Sequence, residues 1–135
     1  MTHFSLSELN IWAILVAGVV NMAKGALWYS RPLFGNQWMA YLGFKEDEPN
    51  NSPWIFVIVF LLGLIIAVLM AMFLQGASGW LDGLIYGAVI GLGFVIPTIL
   101  THYIMEGRKR GFMLIIAGHE LLLFLAFGAI LAGWQ

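Results

Sequence analysis

Apolar residues run almost unbroken through four stretches of this chain, and polar or turn-forming residues separate them. Each stretch approaches the roughly 20 residues that a helix needs to cross the hydrocarbon core of a bilayer. The spans are predicted near Leu6–Tyr29, Trp54–Leu74, Leu81–Tyr103 and Gly111–Trp134. The pattern predicts an all-α membrane protein, a four-transmembrane-helix bundle in one domain over residues 1–135. Local signals suggest where the helices start. Ser5 and Glu8 have the spacing of a capping box, with Phe4 and Leu9 as its hydrophobic staple. Asn51 and Ser52 are candidate N-caps for the second span, with Pro53 at its first position. Pro97 removes a backbone donor inside the third span and predicts a kink there.

One substantial loop remains, Ser30–Pro53. Within it Phe34, Trp38, Tyr41 and Leu42 fall on one helical face, which predicts a short helix lying in the membrane interface. Trp28, Tyr29, Phe34, Trp38 and Trp54 are the expected interface anchors, because amphipathic rings settle at headgroup level.

Gly79, Gly83, Gly87 and Gly91 recur every four residues at the head of the third span. Lipid tails are as apolar as leucine, so helices in a bilayer associate by close approach over small residues. This stripe is therefore a packing face, either against another helix of this chain or against a second copy in a homo-oligomer. Helical spacing continues it to Thr98 and His102.

A few ionisable and polar groups interrupt the spans. Asn21, Lys24, His102, His119 and Glu120 form the candidate intramembrane polar site. Charge at bilayer depth is costly and is tolerated where it faces protein or water, so these residues are the default functional hypothesis. At about 1.5 Å per residue, Lys24 lies roughly 7–8 Å below the end of its span and Glu120 about 13–14 Å in from Gly111. Lys24, Asn21 and Glu120 can meet if the first and last helices are neighbours. Otherwise Lys24 snorkels to the interface. Glu120 is too deep to reach water and must be paired, hydrogen-bonded or protonated. His119 and Glu120 point about 100° apart, which favours a separate role for His119 as a neutral, hydrogen-bonded residue. Asp82 suits the positive end of the third helix.

Composition supports the membrane reading. Of 135 residues, 61% are hydrophobic and only 10% charged, well below the roughly one quarter charged of a soluble domain. A net charge of −1 argues against nucleic-acid binding. The absence of cysteine excludes disulfides, thiolate metal sites and cysteine nucleophiles. The six basic residues are Lys24, Arg31, Lys45, Arg108, Lys109 and Arg110, and all belong to one side of the predicted bundle. That side is expected in the cytoplasm and both termini outside it. The first ten residues lack Lys and Arg, so no cleavable signal is expected. No catalytic constellation, metal-ligand cluster or paired haem ligand is legible, and no cofactor is expected.

The run Gly25-Ala26-Leu27-Trp28-Tyr29-Ser30-Arg31-Pro32-Leu33-Phe34-Gly35-Asn36-Gln37-Trp38 resembles the signature of a family of small bacterial inner-membrane proteins catalogued only as a domain of unknown function. Asp82-Gly83, Gly93-Phe94 through Thr98, His102-Tyr103 with Glu106, Gly118-His119 and Gly128-Ala129-Ile130-Leu131 extend the likeness over nearly the whole chain. The resemblance implies a four-helix bacterial inner-membrane protein and assigns no catalytic residue; His119 matches one of its motif positions.

Three functions fit. The buried polar residues favour small-solute or ion/proton-linked transport or permeation, with Glu120 as the proton-linked group. The paucity of polar groups favours a non-catalytic membrane scaffold or subunit assembled through the glycine stripe. The aromatic-rich inner interface allows a lipid or quinone binder, with less support, since such belts are common.

Overall fold

The computed structural model describes residues 5–43 and 52–135. Phe4, Lys45 and Asn51 lie outside them. Among the described residues the chain is entirely helical: α1 (Ile11–Trp28), α2 (Gly35–Leu42), α3 (Pro53–Phe73), α4 (Trp80–Ile90), a π-helical turn (Gly91–Val95), α5 (Ile96–Met105) and α6 (Arg110–Gly133). The segment from α4 to α5 is one continuous rod, so four helices of 18, 21, 26 and 24 residues are long and apolar enough to cross a membrane.

α1 starts later than the capping-box pattern predicts. Its N-cap is Asn10, whose side chain accepts from Trp12 N at 3.0 Å and Ala13 N at 3.2 Å. Ser5 instead pairs with the α3–α4 turn: its N–H donates to Gln75 Oε1 at 3.3 Å and its carbonyl accepts from Gln75 Nε2 at 2.6 Å. The short Asn10 side chain satisfies two orphan amides at once, whereas Ser5 Oγ pairs with Ser7 Oγ at 2.8 Å and caps no helix. Asn10 Nδ2 also donates to Trp134 O at 3.2 Å, joining α1 to the end of α6. Asn10→Ala is expected to lower stability by about 1 kcal/mol, measured as thermal unfolding in detergent.

α6 is the hub. It packs on α1, α3 and the whole α4–α5 rod, and α2 touches its beginning; α1 also packs on α3. A dry core fills the end of the bundle that holds both termini. Ala13 and Ala17 from α1, Ala67, Met70 and Leu74 from α3, and Leu123, Phe124, Phe127 and Leu131 from α6 meet there. Alanines let α1 approach closely, and Phe127, wholly buried, fills the space between helices.

α4 approaches α6 more closely still. A Cβ on Gly83 would strike the carbonyl of Gly128, and one on Gly87 the carbonyl of Phe124. Gly91 faces the Phe124 side chain, where a Cβ would sit 3.3 Å away. Gly79 does not share this role. It precedes α4 with φ of 100°, and a Cβ there would meet nothing within 4 Å, so it serves the turn rather than the helix contact. Asp82 accepts from Ser78 N at 2.9 Å in the same turn.

The stripe does not continue to Thr98 and His102. Pro97 lacks an N–H and its ring crowds the carbonyl four residues earlier, and the chain answers with a wider turn rather than a plain kink. Ile96 N bonds to Gly91 O, a five-residue step. The extra residue rotates everything after it. Ile96, Ile99, Leu100 and Tyr103 take the buried or half-buried side, whereas Thr98 and His102 are exposed.

Candidate functional site

α1 brings a stripe of small and polar residues to the bundle. Ala13, Ala17, Gly18 and Asn21 are buried, and Lys24 and Trp28 continue the same face half-buried. The antiparallel α6 presents Ile115, Gly118, His119 and Glu120 at the matching height, in the half of the bundle away from the dry core.

His119 stands at the centre. Lys24 Nζ lies 3.3 Å from His119 Nε2 and donates to His119 O at 3.2 Å. On the other side of the ring, Nδ1 is 3.4 Å from Glu120 Oε1. With Lys24 as the ammonium, which only donates, Nε2 accepts and the ring proton sits on Nδ1, facing Glu120. The result is a polar chain, Lys24–His119–Glu120, with the imidazole between an amine and a carboxyl group. The His119 and Glu120 side chains are 14% and 22% exposed, shielded enough that the groups interact more strongly than they would in water.

This arrangement corrects the spacing argument in three places. Lys24 neither snorkels alone nor meets Glu120 directly: His119 intervenes. The 100° between His119 and Glu120 is closed by the length of their side chains, which turn into the same gap. Asn21 takes no part. It is only 8% exposed, its Oδ1 has no hydrogen-bond partner, and its Nδ2 would sit 2.9 Å from a Cβ on Gly63 of α3. Asn21 therefore belongs to the α1–α3 contact. Asn21→Leu, which removes the orphaned oxygen, is expected to change stability by less than about 1 kcal/mol in either direction, whereas loss of a bonded buried amide would cost more. His102 is exposed beyond the π turn and stays outside the site.

Aromatic residues close the site towards the α1–α2 joint. Trp28 Nε1 donates to Ile115 O at 3.1 Å. Its ring lies against Gly118, where a Cβ would sit 3.0 Å away, and 4.6 Å from the Phe34 ring centre. The Tyr29 ring packs at a tilt of 43° against both Trp38 and His119, with ring centres 4.6 and 5.0 Å apart. Trp28, Tyr29, Phe34 and Trp38 thus form the roof of the polar chain as well as lying near one end of the spans. Trp54, 73% exposed at the start of α3, is not part of it. Trp28→Phe keeps most of the packing but removes the indole donor; a loss of about 1 kcal/mol is expected on thermal unfolding.

The roof depends on a chain reversal that the sequence does not announce. Phe34 N donates to Trp28 O at 3.1 Å and Gly35 N to Ser30 O at 2.9 Å, folding α2 back beneath α1. A Cβ at Gly35 would strike the carbonyl of Tyr29. Tyr103, brought inward by the π turn, is half-buried and packs edge-on against Phe112 of α6, with ring centres 5.1 Å apart. Its spacing from Gly91 gave no hint of this, because the π turn is invisible to a 3.6-residue count.

Among the described residues no group of three or more His, Cys, Asp or Glu is placed to hold a metal ion. The chain matches the family described as "Protein of unknown function (DUF1761)" over residues 12–132, and it belongs to that family. No curated protein and no solved structure matches it.

Proposed function

We propose that this member of the DUF1761 family is a multi-pass protein of the bacterial inner membrane that carries or admits a small solute or ion in a proton-linked step at Lys24–His119–Glu120. Both termini lie outside the cytoplasm in this reading, and the basic turns lie within it. The observation that carries it is the polar chain itself: Lys24 Nζ at 3.3 Å from His119 Nε2, and His119 Nδ1 at 3.4 Å from Glu120 Oε1, between helices of membrane-spanning length. Ionisable groups there are expensive, and a histidine joining an ammonium to a carboxylate is a chemically competent proton relay. The dry core built around Phe127 separates the site from the end with the termini, while the roof at the other end consists of side chains rather than packed helices. A polar site barred at one end by packed helices and at the other by side chains alone is the arrangement expected of an occluded state of an alternating-access protein.

Reconstituted protein tests this by difference infrared of the carboxyl band against pH, with Glu120→Gln as control, alongside uptake driven by a pH gradient. A Glu120 band that responds to pH, with uptake lost in Glu120→Gln, is the expected result. A carboxylate ionised at every pH, with assembly weakened when Lys24 is replaced, would instead favour the scaffold reading. In that second reading a further membrane subunit or a second copy would pack on the exposed side of the α4–α5 rod, at Ile85, Val89, Leu92 and Phe94.

A further inference from the structure

Where α2 meets the turn between α5 and α6, a cavity of about 540 Å³ opens at the end of the bundle that carries the basic residues. It lies apart from the Lys24–His119–Glu120 chain. Tyr41 of α2, Arg108 and Lys109 of the turn, and Phe112 of α6 line it, together with Glu106.

The chemistry of this cavity is that of a phosphate receptor. Arg108 is held in place from two sides: its Nε donates to Glu106 Oε2 at 3.0 Å and its guanidinium lies 5.4 Å over the Phe112 ring. One of its five N–H donors is thereby used, and the planar fork that remains suits two oxygens of one phosphate. The Glu106 pairing is exposed, so it orients Arg108 while cancelling little of its attraction for an anion. Lys109 adds a second cation and has no acidic partner among the described residues. Lys109 is also the N-cap of α6, and its side chain makes no capping bond. The first amides of the 24-residue α6 therefore have no side-chain acceptor, and the positive end of the helix adds to the attraction for an anion at this end of the bundle.

Position selects the source of the phosphate. α6 begins its membrane-length apolar run at Arg110, so the cavity sits where headgroups lie, and its walls include the aromatic faces of Tyr41 and Phe112. We infer that this cavity binds the phosphodiester headgroup of an anionic phospholipid, which seats α2 against α6. The seat is close: a Cβ on Gly111 would strike the Tyr41 hydroxyl.

The test is native mass spectrometry of the whole protein released from nanodiscs of phosphatidylcholine doped with phosphatidylglycerol. The wild-type chain is expected to retain phosphatidylglycerol selectively. The exposed double variant Arg108→Gln/Lys109→Gln is expected to weaken that retention at least about a hundredfold, from roughly tenfold for each charge-assisted hydrogen bond lost. Arg31→Gln, a basic residue outside the cavity, is expected to weaken it no more than about fivefold, the diffuse attraction of one surface charge. Equal loss in Arg31→Gln would reduce the effect to diffuse attraction and overturn the site. Binding of inorganic phosphate without selective lipid retention would overturn the lipid assignment. Because Arg108 and Lys109 are exposed, unfolding of the double variant is not expected; its melting temperature in pure phosphatidylcholine, compared with wild type, checks this. A fall in that temperature would assign the two side chains to the fold and overturn the proposal.

Discussion

Gly83→Leu is expected to abolish the native bundle or to destabilise it by at least about 3 kcal/mol, the upper end of the usual cost of overpacking. The reason is the nature of the obstacle. A flexible side chain can move away from a new methyl group, but a Cβ at Gly83 meets the backbone carbonyl of Gly128, and a Cβ at Gly128 meets that of Gly83. Neither helix has atoms to yield, so α4 must lift away from α6 as a body. α4 has no comparable support elsewhere, since α6 is its main partner. Gly93→Leu is the matched control: Gly93 is exposed, a Cβ there would meet nothing within 4 Å, and a near-neutral effect is expected. Thermal unfolding in detergent, read by tryptophan fluorescence, separates the two. Equal tolerance of both substitutions would mean that α4 and α6 are not in backbone contact.

The second large effect is a coupling between residues that do not touch. Lys24→Met is expected to cost on the order of 2 kcal/mol, somewhat below the usual loss for breaking a fully buried pair because the site is only partly shielded. Much of that loss is the penalty of leaving the Glu120 carboxylate without its distant counter-charge. Glu120→Gln removes that charge, so the double variant should recover part of the loss, with a coupling of about 1 kcal/mol. The same cycle repeated with His119→Ala should show much weaker coupling, because the imidazole is the link, with Nε2 towards Lys24 and Nδ1 towards Glu120. Unchanged coupling without His119 would mean that Lys24 and Glu120 interact through space or water, and the relay would have no structural basis.

The two results bear differently on function. The glycine contact is a property of the fold under any activity, whereas the cycle probes the group on which the transport proposal rests. A strong cycle combined with a Glu120 that never changes protonation would describe a structural ion pair.

The comparison of pattern with structure divides along the same line. Hydrophobic length determines the four long helices, because within an unbroken apolar stretch of about 20 residues a helix satisfies every backbone group by itself, and the boundaries at Pro53 and near Leu74 follow from it. The short helix after Phe34 was legible for a related reason: its aromatic residues share one face. Local capping was less legible. Both Ser5 and Asn10 have the chemistry of an N-cap, and only the structure, with Ser5 Oγ paired to Ser7 Oγ, decided between them.

The site itself shows why distant contacts matter most. The sequence by itself picked out Lys24, His119 and Glu120, since an ionisable group among apolar neighbours stands out in any reading. It could not rank them, because the central place of His119 depends on α1 and α6 being antiparallel neighbours at matching height. Nor could it place His102 outside or Tyr103 inside. That choice belongs to one extra residue in the turn at Gly91–Val95, which rotates every later side chain by about 100°. A periodic pattern carries no record of such an insertion; it arises from the crowding at Pro97 and the grip of α4 on α6. Composition and hydrophobic length determined what kind of molecule this is. Helix-to-helix contact, set by shape and hydrogen bonding rather than by hydrophobicity, decided which of its polar residues meet.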